Sequence, residues 1–221
     1  MTGWVEHFII SGMDWQRLNG HFIVLDGPDG SGKSTQLELL YDFIIKQGVS
    51  AVKLRDPGGT KIGDQIRGIL LDRENAEMSV RCELLLYMAS RAQLYGEWIG
   101  PTLAGGGCVL CDRWISSTYA YQAVAGKVGR EALLHVAEVA LERTWPDLTI
   151  IIDLPSEVGL ERVGRSPDRM ECKDGRFHQR VREAFLELAM GREDFRVVEG
   201  TGTVEQVQGR IREVLKAYVH S

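Results

Sequence analysis

Cysteine, long apolar runs, excess positive charge and low-complexity sequence are all scarce in this chain of 221 residues. Cys108 and Cys111 form a C-x-x-C, but neither Cys82 nor Cys172 adds a second ligand pair at zinc-site spacing. The run Cys108-Val-Leu-Cys111 reads instead as a buried strand, which sends alternate side chains to opposite faces. Core thiols in a reducing compartment are therefore expected. No apolar stretch approaches the ~20 residues needed to cross a bilayer, so no membrane partner is expected. Residues 1–20 hold Glu6, Asp14 and Arg17 around Phe8-Ile9-Ile10, without the basic start and long apolar segment of a signal peptide. Cytoplasm is the expected compartment. Lys and Arg number 26 against 31 Asp and Glu, a formal net charge of −5. That balance argues against a nucleic-acid backbone as the main partner. A small anionic ligand stays open, because a local basic pocket can sit on an acidic surface.

What is present is an alternation of short apolar runs with longer periodic segments. His21–Asp26, Ser50–Arg55, Cys108–Cys111, Leu148–Leu154 and Arg196–Val198 read as strands. Between them, helices are expected after Lys33, around Ile62-Ile66-Leu70, from Ser79 toward Trp98, over Glu131–Arg143 and over Val204–Tyr218. The strands are continuously apolar rather than alternating, so both faces of the sheet should be covered. Repeated β–α units then imply an α/β fold: a doubly wound, mostly parallel five-stranded sheet flanked by helices, with ligands at the carboxyl ends of its strands. No internal repeat or linker divides it. Residues 1–20 read as an N-terminal appendage, with Met13 as an alternative start, and 21–221 as one domain.

The first strand runs into Gly27-Pro-Asp-Gly-Ser-Gly32-Lys33-Ser34, which fits G-x-x-x-x-G-K-[ST], and an amphipathic helix follows. Glycines let successive backbone N–H groups face one point, and the helix adds its positive end. Gly27, Pro28, Asp29, Gly30, Ser31, Gly32, Lys33, Ser34 and Thr35 are therefore expected to hold ATP. Lys33 reaches the β- and γ-phosphates, and the Ser34 hydroxyl ligates Mg²⁺.

Four further segments, in order, make the chain similar to the thymidylate kinase family. They are Arg55-Asp-Pro-Gly-Gly-Thr60, Glu83 to Gln93 with Tyr87 and Arg91, Asp112-Arg113-Trp114 continuing to Ser117 and Tyr121-Gln122, and Pro146-Asp-Leu-Thr149. An Arg-rich stretch from Arg162 to Arg169 then resembles the family's lid, placed at about 162–176, and Phe177-His-Gln-Arg-Val-Arg182 follows. The resemblance covers about Phe22 to Tyr218. It implies a P-loop NTPase fold and an ATP-dependent, bacterial-type enzyme that phosphorylates dTMP to dTDP for dTTP biosynthesis, with Mg²⁺, as a cytoplasmic homodimer.

Several roles follow from that resemblance alone. Asp112 orients Mg²⁺, directly or through water, and Arg113 and Arg55 hold the acceptor phosphate. Asp29 stands near the acceptor's 3′-hydroxyl and the transferred phosphoryl. Tyr87 occupies the place of the aromatic that stacks on thymine, and Arg91 approaches the base's carbonyl edge. Ser117 and Thr118 hydrogen-bond the base, Tyr121 disfavours a ribose 2′-hydroxyl, and Gln122 completes the Tyr-Gln pair. The chain departs from the family pattern at Ser90, Asp56, Trp114 and Met170. Because Gly30 stands where some members carry a loop arginine, the transition-state arginine is expected from the lid, from Arg165 or Arg169, with Arg162 as an anchor. A deoxynucleoside kinase and a non-catalytic P-loop regulator are the alternatives. The Arg-rich acceptor end speaks against the first. The intact Lys33, Ser34 and Asp112 set speaks against the second.

Overall fold

Phe22–Asp26 is buried at every position, as the centre of a sheet covered on both faces requires. The computed structural model describes residues 14–163 and 167–220. Its strands are β1 (Phe22–Asp26), β2 (Ala51–Arg55), β3 (Cys108–Asp112), β4 (Leu148–Asp153) and β5 (Phe195–Glu199). They form one sheet in the order β2-β3-β1-β4-β5, and every pairing is parallel. β1 has β3 on one side and β4 on the other, and Leu25 pairs with both Asp112 and Ile150. The chain reverses its winding direction there, which opens a crevice at the carboxyl ends of β1, β3 and β4.

The helices are α1 (Lys33–Lys46), α2 (Lys61–Leu71), α3 (Val80–Leu94), α4 (Gly100–Ala104), α5 (Ile115–Thr118), α6 (Arg130–Ala140), α7 (Ser156–Val163), α8 (Gly175–Met190) and α9 (Val204–His220). Strand pleating sorts the core into two halves. Ile23 and Leu25 pack with Leu40 and Ile44 of α1 and Ile211 and Leu215 of α9. Phe22 and Val24 face the other way, toward Leu84 and Met88 of α3 and Val181 and Phe185 of α8. Cys108 belongs to the first half and Cys111 to the second, so the C-x-x-C points to two faces. Among the described residues, no group of three or more His, Cys, Asp or Glu is placed to hold a metal. Nor is any described helix long and apolar enough to cross a membrane.

Three expectations change. The helix expected to run toward Trp98 leaves α-geometry after Leu94, passing through a π-helical turn, Tyr95–Ile99, into α4. Pro101, with no amide hydrogen, sits in the first turn of α4, where that donor is not needed. Residues 14–20, expected outside the domain, belong to it. Trp15 and Leu18 are buried in the α1–α9 half of the core, Trp15 meets Phe43 edge-on at 5.0 Å, and Gln16 Nε2 donates to the Gly48 carbonyl at 2.8 Å. Met13, the alternative start, lies outside the described residues with the rest of 1–12. α7 and α8 were not separately anticipated. The spacing Phe177, Val181, Phe185 was the signal for α8, and the Asp174 side chain caps it by accepting from the Phe177 N–H at 2.8 Å.

Candidate active site

At the end of β1 the chain leaves the sheet through residues whose backbone only glycine tolerates. Gly30 has φ +71°, and a Cβ there would lie 2.0 Å from the Gly159 carbonyl oxygen of α7. A Cβ on Gly159 would in turn meet the Asp29 carbonyl oxygen at 2.2 Å. Two glycines thus let the loop and α7 touch backbone to backbone. Inside the loop, Lys33 Nζ donates to the Pro28 carbonyl at 2.6 Å, the Gly27 carbonyl at 3.1 Å and Ser31 Oγ at 3.2 Å. Burial pushes the Lys33 ammonium down to about 8.

Strand β3 ends beside the loop. Ser34 Oγ, from the first turn of α1, donates to Asp112 Oδ2 at 2.5 Å, so a hydroxyl and a carboxylate converge next to Lys33. Arg113 follows with φ +70°, a left-handed backbone uncommon for a residue with a side chain. That turn aims its guanidinium back across the cavity. Nη2 meets Asp29 Oδ1 at 2.5 Å, and Nη1 donates to the Gly27 carbonyl and to Ser117 Oγ, both at 2.9 Å. Asp26, which sequence reasoning did not single out, organises the floor. Its fully buried carboxylate accepts from Ser116 Oγ at 2.6 Å, Ser117 Oγ at 2.7 Å and the Gly27 N–H at 2.8 Å. An acid closing an apolar strand was its signal. Burial alone would raise the Asp29 carboxyl, but the Arg113 and Lys33 charges outweigh it and hold it below the ordinary range.

The opposite wall comes from α3, α5 and the π-helical turn Tyr119–Ala125. Arg91 is fully buried, with Nε on Asp56 Oδ2 at 2.7 Å, Nη1 on Thr118 Oγ1 at 2.7 Å and Nη2 on the Trp114 carbonyl at 2.8 Å. Nη2 also lies 2.7 Å from Asp56 Oδ2, which leaves the second N–H of Nη1 outside these contacts. Burial lifts the Asp56 carboxyl to about 6 even with Arg91 beside it. Tyr87 lies one helical turn from Arg91, its ring 5.8 Å from the guanidinium carbon. Burial, with Glu83 adding to it, holds the Tyr87 phenol well above its ordinary value. The Tyr121 ring stands 5.4 Å from the Arg113 guanidinium.

One cavity of about 660 Å³ joins these walls. Every residue from Asp29 to Thr35 lines it, as do Arg55, Tyr87, Arg91, Asp112, Arg113, Ser117, Thr118, Tyr121 and Gln122. Gly27 and Pro28 stand behind it as the carbonyls that Lys33 binds. Arg55 is half-exposed at the rim, 3.6 Å from Asp64. Sequence reasoning missed the part of the lining formed by Gly200, Gly202, Thr203, Val204 and Val207 where β5 passes into α9, next to α1, whose Gln36 donates to the Val204 carbonyl at 3.0 Å. A glycine-flanked strand end before a helix was the available signal.

The lid segment differs from expectation. Pro167 and Asp168 are not helical and Arg169 lies in a turn, so Arg162 and Arg169 do not share one continuous helical face. Arg162 lines the cavity, whereas Arg165 lies outside the described residues. Arg169, expected over the phosphates, is absent from the cavity lining and buried elsewhere. Its Nε donates to the Leu70 carbonyl at 2.8 Å and its Nη1 to Glu83 Oε1 at 2.6 Å. A buried guanidinium needs a carboxylate, and Glu83 supplies it. Glu83 Oε2 also accepts from Gln122 Nε2 at 3.1 Å, and Lys173 Nζ approaches Oε1 at 3.3 Å.

A phosphate loop at the switch point, a hydroxyl–carboxylate pair beside it and an Arg-bearing second end define a P-loop nucleotide phosphotransferase. Comparison with known proteins narrows that class. A family model described as thymidylate kinase matches residues 25–211. A thymidylate kinase of Symbiobacterium thermophilum is 43% identical over 88% of this chain and 92% of its own length. One from Fervidobacterium nodosum is 38% identical over 90% of this chain and all of its own. The crystal structure of a thymidylate kinase from Ehrlichia chaffeensis superposes with a TM-score of 0.74 at 28% identity, covering 90% of this chain and 99% of that one. The chain belongs to the thymidylate kinase family.

Proposed function

We infer that the chain transfers the γ-phosphoryl group of ATP to dTMP, giving ADP and dTDP. The observation that carries this reading is the single cavity. Lys33, Ser34 and Asp112 line it together with Arg55, Arg91 and Arg113, so two phosphorylated ligands can meet within it. Bringing two polyanions together requires fixed positive charge and exclusion of water, since there is little covalent work for the protein to do. Lys33 leaves the loop carbonyls for the β- and γ-phosphates, whose negative charge favours its protonated form. Arg113 gives the acceptor phosphate a planar fork already held in place by Asp29 and Ser117, and Arg55 closes on it from the rim.

Mg²⁺ fits the donor set. Ser34 Oγ and Asp112 Oδ2 lie 2.5 Å apart, both are hard oxygens, and Mg²⁺ takes the rest of its shell from phosphates and water. There it would neutralise charge on the nucleotide. At the α3 wall, Tyr87 offers its face to the base, and Arg91 turns its remaining Nη1 N–H to the base carbonyl. Thr118 and Ser117 supply hydroxyls, Gln122 its amide, and Tyr121 crowds the sugar's 2′ position. Asp29 accepts from the acceptor's 3′-hydroxyl. Arg162 and Arg165 answer the charge that builds on the transferring phosphoryl when the lid closes.

We read the working unit as a homodimer. α3 packs against both α2 and α6, and these helices carry exposed apolar residues: Ile62 and Ile69, Leu85, and Leu134 and Val139. A second copy is the partner such a face suits. The four cysteines are free, as a reducing cytoplasm would keep them. A coupled ADP-release assay with ATP–Mg²⁺ and dTMP, dUMP, UMP and thymidine as acceptors tests the reading. Turnover should be greatest with dTMP, partial with dUMP because a methyl contact is worth only about 1–3 kcal/mol, and poorest with UMP and thymidine. Thymidine outperforming dTMP would overturn it.

A further inference from the structure

The motif Phe177-His-Gln-Arg-Val-Arg182 contributes nothing to the roles assigned so far, yet His178 is buried against the phosphate loop. It projects from the first turn of α8, and its Nδ1 lies 3.8 Å from Asp29 Oδ2. The two oxygens of Asp29 are in different circumstances. Oδ1 is held by Arg113 at 2.5 Å, while Oδ2 is buried and has no hydrogen-bond partner among the described residues. The Tyr121 hydroxyl is the other group turned to this carboxylate and helps hold its pKa down, though outside good hydrogen-bond geometry, and His178 Nε2 is buried without a partner among the described residues. A carboxylate held firmly at one oxygen can still rotate about its last torsion, and a nearby N–H at the other oxygen restricts that freedom.

We propose that His178 is a positioning residue for Asp29. Its Nδ1–H faces Oδ2 while Arg113 holds Oδ1, and together they keep the carboxylate aimed at the acceptor's 3′-hydroxyl. Oδ2 has a second lone pair with which to accept from that hydroxyl. The arrangement is a support on α8 for a group on the loop, and it rests on the reading of Asp29 as the acceptor-sugar carboxylate. The same contact joins α8, which follows the lid, to the loop that precedes α1.

The test compares dTMP with its 3′-deoxy analogue, which lacks the hydroxyl that Asp29 accepts from. A merely structural His178 affects both acceptors alike; a positioning His178 affects only the one with the hydroxyl. In the parent protein, kcat/KM should favour dTMP. In His178→Leu that preference should fall about tenfold, the scale of one weakened hydrogen bond to a charged group, chiefly through the KM for dTMP. His178→Asn, which keeps an N–H near the place of Nδ1, should retain it. His178→Gln, whose amide reaches the place of Nε2, should lose it. The Asn and Gln pair carries the test if the leucine variant does not fold. Equal losses on both acceptors, or identical preferences in the Asn and Gln variants, overturn the proposal. A parent protein indifferent to the 3′-hydroxyl overturns the Asp29 reading itself, and is distinguishable because no variant is needed to see it.

Discussion

The phosphate loop and the segment after α7 border the same cavity, and each carries a motif, but their conformations have different origins. In the loop, the backbone does the work, and the partners are close in sequence. Gly30 and Gly32 take positive φ, α1 starts at Lys33, and Lys33 binds carbonyls five and six residues back. After α7, Arg169 is governed by distant groups. Arg169 finds Glu83 and the Leu70 carbonyl, 86 and 99 residues away, and packs under the cavity wall rather than into it. A motif that encodes backbone shape keeps its meaning wherever it sits. A long charged side chain takes its meaning from whichever buried carboxylate it reaches.

The largest effect belongs to the loop. Lys33→Ala should lower kcat by on the order of 10²–10³ with the circular dichroism spectrum unchanged, because one fixed charge at the transferring phosphoryl is lost. Near-parent kcat would remove the basis for treating the loop as the donor site. The next pair divides the lid. Arg165→Ala should reduce kcat ~10²-fold with little change in the KM for dTMP, as expected of a contact strengthened in the transition state. Arg169→Ala should instead lower the unfolding free energy in urea by about 3 kcal/mol, because Glu83 is left buried with Gln122 and the more distant Lys173 but without its guanidinium. If the two variants exchange these phenotypes, the assignment of catalytic and structural arginines is reversed.

pH sharpens the contrast further. With its ammonium pushed down to about 8 by burial, Lys33 of the free enzyme is charged below that pH and neutral above it. The kcat/KM for ATP should therefore fall as pH rises through about 8, by up to about tenfold per unit, while kcat holds to higher pH because bound phosphates favour the charged lysine. Coincident limbs in both profiles would assign the titration to another group. The smallest effect is at Tyr121, where alanine should narrow the preference for dUMP over UMP by roughly fivefold to tenfold. An unchanged ratio would mean that the ring, packed between Arg113, Phe177 and Phe185, serves the core alone.

Much of the site could be read in advance because its parts sit at strand ends. Asp29 to Thr35 follow β1, Asp112 and Arg113 close β3, and Arg55 closes β2, so a parallel sheet brings them to one edge. Tyr87 and Arg91 were legible as one face of a helix by their spacing of four. Asp26, Glu83 and His178 were not distinguished from ordinary polar residues, because nothing local says that an acid or an imidazole will be buried. Arg169 was misplaced for the same reason. Its spacing from Arg162 suggested a shared helical face, but Pro167 and Asp168, just before it, are not helical.

The sequence by itself determined the strand and helix alternation, the parallel sheet, the phosphate loop and the family, since these depend on apolar periodicity, glycine placement and motifs short enough to act locally. Tertiary structure decided that Arg162 and not Arg169 lines the cavity, how Asp29 is held and how the loop meets α7 at Gly30 and Gly159. Those outcomes depend on contacts between segments far apart in the chain. There, desolvation makes a charged group take whichever partner the packing brings within reach.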